Sequence, residues 1–282
     1  MTYLLATAVT ERPLTMADER RKATLSMDET NGRPGVLDRA VQLLLAFEHG
    51  ESSLPLTALA ARTGLPKSSV HRFVNALAKY NLMGTDGQGN YRLGIGLWEL
   101  GAKAVELRLP LRTVERYAER VAAEWDETCH VGIPDGKDVV YVARVASTRA
   151  VAVQTHLGQR VPAHATATGL AVLCSFPPEL IRSTFSDPLE AFTESTPRTV
   201  EDLIVRAAEA RKRGYSLTFP GRQPDTCGTA APILDRTGRA VASIGIAGPI
   251  YRNTEERLNE MGIYIRGVAD EISRELGQQA AL

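Results

Sequence analysis

Several features that mark other protein classes are scarce in this sequence of 282 residues. It has no net charge, because 33 lysines and arginines balance 33 aspartates and glutamates, which argues against a protein that coats nucleic acid without selection. The three cysteines, Cys129, Cys174 and Cys227, are odd in number and lack a C-x-x-C spacing. We therefore predict reduced thiols in a cytoplasmic protein, with neither a disulfide framework nor a structural zinc site.

Long hydrophobic runs are also lacking, so we expect no membrane-spanning segment. Residues 1–10 are mildly apolar but have no basic leader, and they make a poor signal peptide. Residues 1–34 are polar and rich in charge, which predicts a disordered arm with no assigned function. Cys129 and His130 are neighbours on a predicted strand and point to opposite faces, so we expect no metal there. No cofactor is expected.

Residues 56–77 carry the most informative pattern, two short amphipathic helices separated by three residues. Gly64 tolerates the left-handed backbone that ends the first helix, and Pro66 suits the start of the second. The second helix has one apolar face formed by Val70, Phe73, Val74 and Leu77. Its other face offers donors that can reach phosphates and base edges in the major groove of DNA. This pattern predicts a helix-turn-helix.

Residues 84–93 follow with glycine, aspartate and asparagine between short apolar runs, which predicts a hairpin, the wing of a winged helix-turn-helix. Between residues 31 and 97, seven basic residues exceed four acidic ones, a modest basic patch that suits DNA binding. The alternative is a helical hairpin that supports only protein contacts. The predicted DNA-contacting residues are Thr57, Lys67, Ser68, Ser69, His71, Arg72, Asn75, Tyr91 and Arg92.

The rest of the chain predicts a second, larger domain. We expect a winged helix-turn-helix over 35–94, a linker helix over 95–110 and an effector domain over 111–278. Within the last, helices are predicted at 111–127, 169–176, 200–213 and 254–276. Strands are predicted at 130–134, 139–145, 150–156, 215–219, 228–235 and 240–247. This order indicates an α+β fold with an antiparallel sheet flanked by helices.

From about Val36 to Gly277 the sequence resembles the IclR family of bacterial transcription regulators. The likeness rests on residues 64–72 (GLPKSSVHR), 162–169 (PAHATATG), 213–215 (RGY) and 230–233 (AAPI), in this order. It implies a homodimer or dimer of dimers, an operator that is an inverted repeat, and a GAF-like domain that binds a small organic effector. Such regulators repress or activate transcription.

The resemblance places the effector-binding residues at Ala167, Thr168, Thr218, Phe219, Cys227, Gly228, Gly245 and Ala247. Family members that bind carboxylates often have an acidic residue, a cysteine and two serines where this chain has Thr218, Gly228, Gly245 and Ala247. Cys227 is one residue out of register. Because these positions are small and apolar, we expect a roomier and less anion-selective cavity. This favours an aromatic or otherwise bulky metabolite as the effector.

Several residues keep two interpretations. His164 either binds a ligand or braces a loop, and bracing is favoured. Trp125, Tyr141 and Phe219 either line a cavity or fill the core. Arg144, Arg149 and Arg160 lie near the predicted pocket mouth, where one of them could pair with an effector carboxylate, but a solvated surface position is favoured for each. No nucleophile signature is present, so we expect no enzyme. The alternatives are a hydrolase or other enzyme with a DNA-targeting domain, and an architectural protein that does not respond to a ligand.

Overall fold

The computed structural model describes residues 35–47 and 51–279, and the chain divides into two compact units between Leu100 and Gly101. The arm predicted for residues 1–34 lies outside the described residues. In the part of the chain that is described, no helix is both long and apolar enough to cross a membrane.

Within residues 35–47 and 51–100, the first unit has three helices, a hairpin and the start of a fourth helix. The elements are α1 (Val36–Leu44), α2 (Leu56–Thr63), α3 (Lys67–Ala78), β1 (Met83–Thr85), β2 (Tyr91–Leu93) and α4 (Ile95–Glu106). Helix α2 ends at Gly64, whose φ of 67° is left-handed, and Pro66 precedes α3. The three-residue separation and the hairpin predicted from the sequence are both confirmed.

One small core holds this unit together. The apolar face of α3 is buried as predicted, with Val70, Phe73 and Val74 all within this core. Leu54, two residues before α2, forms two backbone hydrogen bonds with Tyr91 of β2, of 2.7 and 2.8 Å. The chain before α2 thus pairs with the β1–β2 hairpin. The wing is therefore fixed to the helices by backbone pairing as well as by apolar packing.

The second unit contains a six-stranded antiparallel sheet in the order β5-β4-β3-β8-β7-β6. Its strands are β3 (Thr128–Asp135), β4 (Asp138–Val145), β5 (Arg160–Pro162), β6 (Ser216–Thr218), β7 (Thr226–Leu234) and β8 (Ala240–Pro249). Its helices are α5 (Leu111–Trp125), α6 (Ala167–Leu173), α7 (Pro178–Thr184), α8 (Val200–Arg213) and α9 (Glu255–Gln279).

Helices cover both faces of this sheet. Val121 of α5 and Ile265 of α9 pack with Ile244 of β8 in one core cluster. Leu170 of α6 and Leu203 of α8 pack with Val139 of β4 in another. The α+β class with an antiparallel sheet is therefore confirmed.

Two local predictions are wrong. Residues 150–156 alternate in polarity, yet they form no strand, and the sheet edge is instead β5 at Arg160–Pro162. Val151 and Leu157 stay exposed, so the apolar residues of this segment do not pack into a core. The helix predicted at 169–176 begins earlier, because the Thr166 hydroxyl accepts a hydrogen bond from the Gly169 amide and caps α6.

Candidate DNA interface and effector face

The outer face of α3 presents polar side chains to solvent. Lys67, Ser68, His71, Arg72 and Asn75 are all exposed, and Ser69 is half-buried. The Asn75 Nδ2 atom lies 3.2 Å from His71 Nδ1, which ties these two side chains together. Thr57 at the start of α2 and Arg92 on the wing are exposed as well.

The cations on this unit differ in whether a carboxylate neutralises them. Arg62 pairs with Glu51 at 2.5 Å. In contrast, Lys67, Arg72 and Arg92 form no ion pair with any residue that the structure describes. Their charges are therefore available to phosphate groups, which account for much of the affinity of such domains for DNA.

The tip of the wing is organised by Asp86. Its carboxylate accepts hydrogen bonds from the Asn90 side chain (2.9 Å), the Gln88 amide (2.8 Å) and the Ser53 hydroxyl (2.8 Å). These bonds, that of Asn90 first, lower the pKa of Asp86 to about 2. The ionised carboxylate thus holds the hairpin in the shape that presents Arg92.

Tyr91 is an exception among the predicted DNA contacts. Its side chain is only 8% exposed and belongs to the core of the first unit. The backbone pairing with Leu54 turns this side of the hairpin toward the helices. The structure therefore corrects the expected phosphate contact, because Tyr91 supports the wing from inside.

Most of the predicted effector residues do come together, on the sheet face that α6 covers, called here the α6 face. Gly228 pairs with Ala247 and Thr218 pairs with Gly228 across neighbouring strands, and cross-strand partners share a face. Ala167 of α6 clusters with Ala230 of β7, the cross-strand partner of Gly245. Thr168 follows on the same helix.

The glycines of this face pack closely against the neighbouring strands. A Cβ atom built on Gly245 would lie 2.5 Å from the Ala230 Cβ and 2.7 Å from the Thr229 carbonyl oxygen. A Cβ on Gly228 would lie 2.8 Å from the Ile246 carbonyl oxygen. The expectation that glycine at 228 and 245 leaves a larger cavity is therefore wrong, because neighbouring atoms already fill that space.

Cys227 is also corrected. It lies on the opposite face of the sheet, in the core cluster formed with α5 and α9, and its thiol donates to the carbonyl oxygens of Gly248 and Asn253 at 3.5 and 3.6 Å. Burial raises its pKa to about 12, and that of Cys174 to about 11. Both thiols are therefore protonated near pH 7 and are poor nucleophiles.

Phe219 lies at the end of β6, beyond the packed part of the α6 face. It is 40% exposed and, with Thr218 and His164, lines a cavity of about 40 Å³, room for only one or two water molecules. His164 Nε2 lies 2.9 Å from the Glu190 carbonyl oxygen. This geometry fits the interpretation of His164 as a brace.

The other half of the α6 face carries a polar cluster that the predicted set did not include. His130 is the cross-strand partner of Gly245, and its ring stacks on Tyr141 with centroids 4.5 Å apart. His130 Nε2 lies 2.7 Å from the Thr155 hydroxyl, which also accepts a 3.0 Å hydrogen bond from Arg144 Nε. The Tyr141 hydroxyl lies 3.4 Å from that of Thr168.

Burial governs the charge of this cluster. His130 is 1% exposed, and burial, followed by the charge of Arg144, lowers its pKa to about 3. Its imidazole is therefore neutral near pH 7. Of the three arginines considered from the sequence, Arg149 pairs with Asp126 and Arg160 pairs with Asp135, which leaves Arg144 beside the α6 face.

A helix-turn-helix with unpaired cations, followed by an antiparallel sheet domain, defines a transcriptional regulator built to bind DNA. The family profiles agree: the IclR helix-turn-helix domain matches residues 36–86, and the bacterial transcriptional regulator IclR C-terminal domain matches residues 106–274. The chain belongs to the IclR family of bacterial transcriptional regulators.

Curated relatives are similar over nearly their whole length. The chain is 30% identical over 241 residues to the HTH-type transcriptional regulator KipR of Bacillus subtilis, covering 85% of this chain and 96% of KipR. It is 28% identical over 269 residues to the HTH-type transcriptional repressor AllR of Escherichia coli K12, covering 94% and 99%.

Solved structures are similar as well. A transcriptional regulator from Rhodococcus sp. RHA1 aligns with a TM-score of 0.75 at 26% identity, over 87% of this chain and 99% of its own. An IclR homologue from Microbacterium hydrocarbonoxydans, complexed with 4-hydroxybenzoate, aligns with a TM-score of 0.74 at 26% identity, over 86% and 100%.

Proposed function

We propose that this regulator binds an inverted-repeat operator as a homodimer, and that a small organic effector on the α6 face controls that binding. The observation that carries the DNA contact is the exposed, unneutralised cation set on α3 and the wing. Lys67, Ser68, Ser69, His71, Arg72 and Asn75 would lie in the major groove, with Thr57 and Arg92 contacting the backbone beside it.

The homodimer is supported by apolar side chains that the first unit leaves in solvent. Val36 and Leu37 of α1 are 71% and 76% exposed, and Ile95 and Trp98 of α4 are 64% and 61% exposed. Apolar groups in such numbers on two helices are typical of a protein interface. A second copy would pair two α3 helices about 34 Å apart, the spacing of successive major grooves.

The effector proposal is supported by the α6 face. Thr168 and the His130–Tyr141 stack supply polar groups and two aromatic rings in one place, and Thr218 lies on β6 opposite Gly228. Aromatic rings favour a planar ligand, and the Microbacterium homologue was solved with 4-hydroxybenzoate. We therefore propose an aromatic acid or a similarly sized metabolite. The protein acts by binding, without turnover, since a ligand that prefers one conformational state shifts the population toward it.

The test is a two-stage binding experiment with the full chain. Selection from random duplexes would give an operator, and anisotropy titration would measure its affinity with and without 4-hydroxybenzoate and related aromatic acids. A saturable change in operator affinity supports the proposal. Binding without sequence preference would indicate an architectural protein, and consumption of the acid without DNA would indicate an enzyme. Either result would overturn the proposed function.

A further inference from the structure

Two cavities of very different size meet at one place in the second unit. The inner cavity, of about 40 Å³, is lined in part by Leu170 of α6 and Thr218 of β6, and so borders the α6 face. The outer cavity, of about 620 Å³, is an open cleft lined by Thr193, Glu194, Ser195, Pro220 and Pro224. Ser195 and Pro220 line both cavities and therefore form part of the wall between them.

Two side-chain hydrogen bonds close that wall. The Ser195 hydroxyl donates to the Pro220 carbonyl oxygen at 2.7 Å, and the Thr193 hydroxyl donates to the Gly221 carbonyl oxygen at 3.0 Å. Both bonds join the loop before α8 to the loop between β6 and β7. Because hydroxyl and carbonyl groups also bond to water, these two bonds can be exchanged for water when the loops separate, at a small net cost.

Each loop keeps its shape without the other. In the loop before α8, the Thr196 hydroxyl accepts hydrogen bonds from the amides three and four residues earlier, at 3.0 and 3.4 Å. In the loop between β6 and β7, the Gly221 amide donates to the Thr226 carbonyl oxygen at 2.6 Å. One further contact joins the loops, since the Arg222 guanidinium lies 5.9 Å from the Phe192 ring centroid. The two loops can therefore separate as intact units.

Neither cavity alone accommodates an effector that reaches the α6 face. The inner cavity borders that face but holds only one or two water molecules, whereas pockets for small organic ligands measure about 300 Å³ or more. The outer cavity has that volume, but none of its lining residues belongs to the α6 face. A ligand that occupies both cavities has to part the loops.

We propose that the effector binds across this wall, with its ring in the outer cavity and one end in the inner cavity beside Thr218, and that it holds the two loops apart. This inference rests on the proposed function and specifies where the effector binds and what it changes. The closed loops are the ligand-free state, and the parted loops are the ligand-bound state. A ligand shifts a population only if it prefers one of two such states.

Removal of the two hydroxyls tests the wall. Ser195→Ala and Thr193→Val each leave a carbonyl oxygen without its donor in the closed state only, so the parted state becomes more populated. Apparent affinity rises with the fraction of protein that is competent to bind, so each variant should bind the ligand at least about threefold more tightly. If the hydroxyls held the ligand, their removal would weaken binding. Ser183→Ala is the matched control, because its hydroxyl bonds within α7 and lines neither cavity.

The measurement is calorimetric titration of the full chain. The ligands are benzoate, 3-hydroxybenzoate and 4-hydroxybenzoate, each compared with its neutral amide. The gain from either hydroxyl variant should be the same for an acid and its amide, because the variant changes the protein and not a contact with the carboxylate. Unfolding temperatures verify that each variant is folded.

A charge test locates the ligand. Glu194 is exposed at the outer cavity and forms no ion pair with any residue that the structure describes. Glu194→Gln removes a negative charge near the bound acid, so the acid should bind about twofold or more tightly at low salt. The gain should shrink at 1 M salt and be absent for the amide. Glu260→Gln on α9, also exposed but lining neither cavity, should change nothing.

The outcomes separate this inference from the proposed function. If the folded hydroxyl variants bind an acid with unchanged or weaker affinity, the inference is overturned. It is also overturned if Glu194→Gln affects the acid and the amide alike, or affects neither. In both cases, an acid that still changes operator affinity leaves the proposed function standing. If no acid binds and none alters operator affinity, both fail.

Discussion

Arg72 and Phe73 are neighbours in the chain with opposite surroundings, so alanine at each position separates DNA binding from folding. Arg72 is exposed on the outer face of α3, and Phe73 is 5% exposed in the core beneath it. We expect Arg72→Ala to weaken operator binding without unfolding the first unit, and Phe73→Ala to unfold it.

The magnitudes follow from burial. An aromatic side chain buries roughly 150–250 Å², which at about 25 cal/mol per Å² corresponds to about 4–6 kcal/mol. Since alanine keeps one methyl group, we expect Phe73→Ala to lower the free energy of unfolding by about 4 kcal/mol. A unit of roughly 65 residues has a total stability of only about 3–10 kcal/mol. This variant therefore approaches the limit of folding.

Arg72→Ala acts on binding. One lost contact costs about 1–3 kcal/mol per half-site, and a homodimer loses it twice. The guanidinium also lies 5.4 Å from the Phe73 ring centroid, an exposed cation–π contact worth about 0.5–1 kcal/mol to stability. If the contact is to phosphate, the slope of log affinity against log salt falls by about 1 per half-site, and if it is to a base, the slope stays unchanged.

Anisotropy titration at several salt concentrations measures the first effect, and hydrogen exchange of α3 amides in the full chain measures the second. Lys79→Ala is a useful control, since Lys79 caps the end of α3 and is not among the proposed contacts. Operator affinity unchanged by Arg72→Ala at physiological salt would refute the docking of α3. Equal loss of amide protection in both alanine variants would refute the division between surface and core.

Three further predictions concern the second unit. Glu127 is fully buried and forms a bidentate ion pair with Arg252 at 2.6 and 2.7 Å, so Glu127→Ala should cost about 3 kcal/mol or more in denaturant unfolding. The pKa of His130 falls from its ordinary 6.5 to about 3, so its contribution to stability is complete above pH 6.5 and is lost as the pH falls toward 3. In the His130→Gln variant, the unfolding temperature should therefore depend less on pH between 6.5 and 3 than it does in the native protein. Gly245→Ala should destabilise by about 1–3 kcal/mol through overpacking, whereas Gly267→Ala in α9, where a Cβ meets nothing within 4 Å, should be neutral or stabilising.

The DNA-binding unit could be predicted well because its signals are local. The helical spacing from Val70 to Leu77, the left-handed Gly64 and the wing glycines all lie within 40 residues of one another. The error at Tyr91 has a non-local cause. Its side of the hairpin is fixed by backbone pairing with Leu54, which is 37 positions earlier in the sequence and carries no strand pattern of its own.

The effector face was harder to predict, since it is assembled from segments far apart in the chain. His130 faces α6 because it pairs with Gly245, more than 100 residues later, and no local pattern states that register. The alternation of polar and apolar residues at 150–156 also led to a wrong strand prediction, because these residues form an exposed segment without a strand. Strand alternation alone would have turned Cys227 and Gly228 to opposite faces, and that signal was available.

The small residues of β7 and β8 bear on where selectivity can lie. Because a Cβ atom on Gly228 or Gly245 would lie 2.8 or 2.7 Å from a neighbouring backbone oxygen, enlarging either residue strains the packing of the sheet before it reaches a ligand. A side chain that discriminates between ligands therefore has to come from positions with room to vary. Arg144 of β4 is half-buried and meets this condition, so we expect a substitution of Arg144 to change effector binding more than a substitution of the packed glycines.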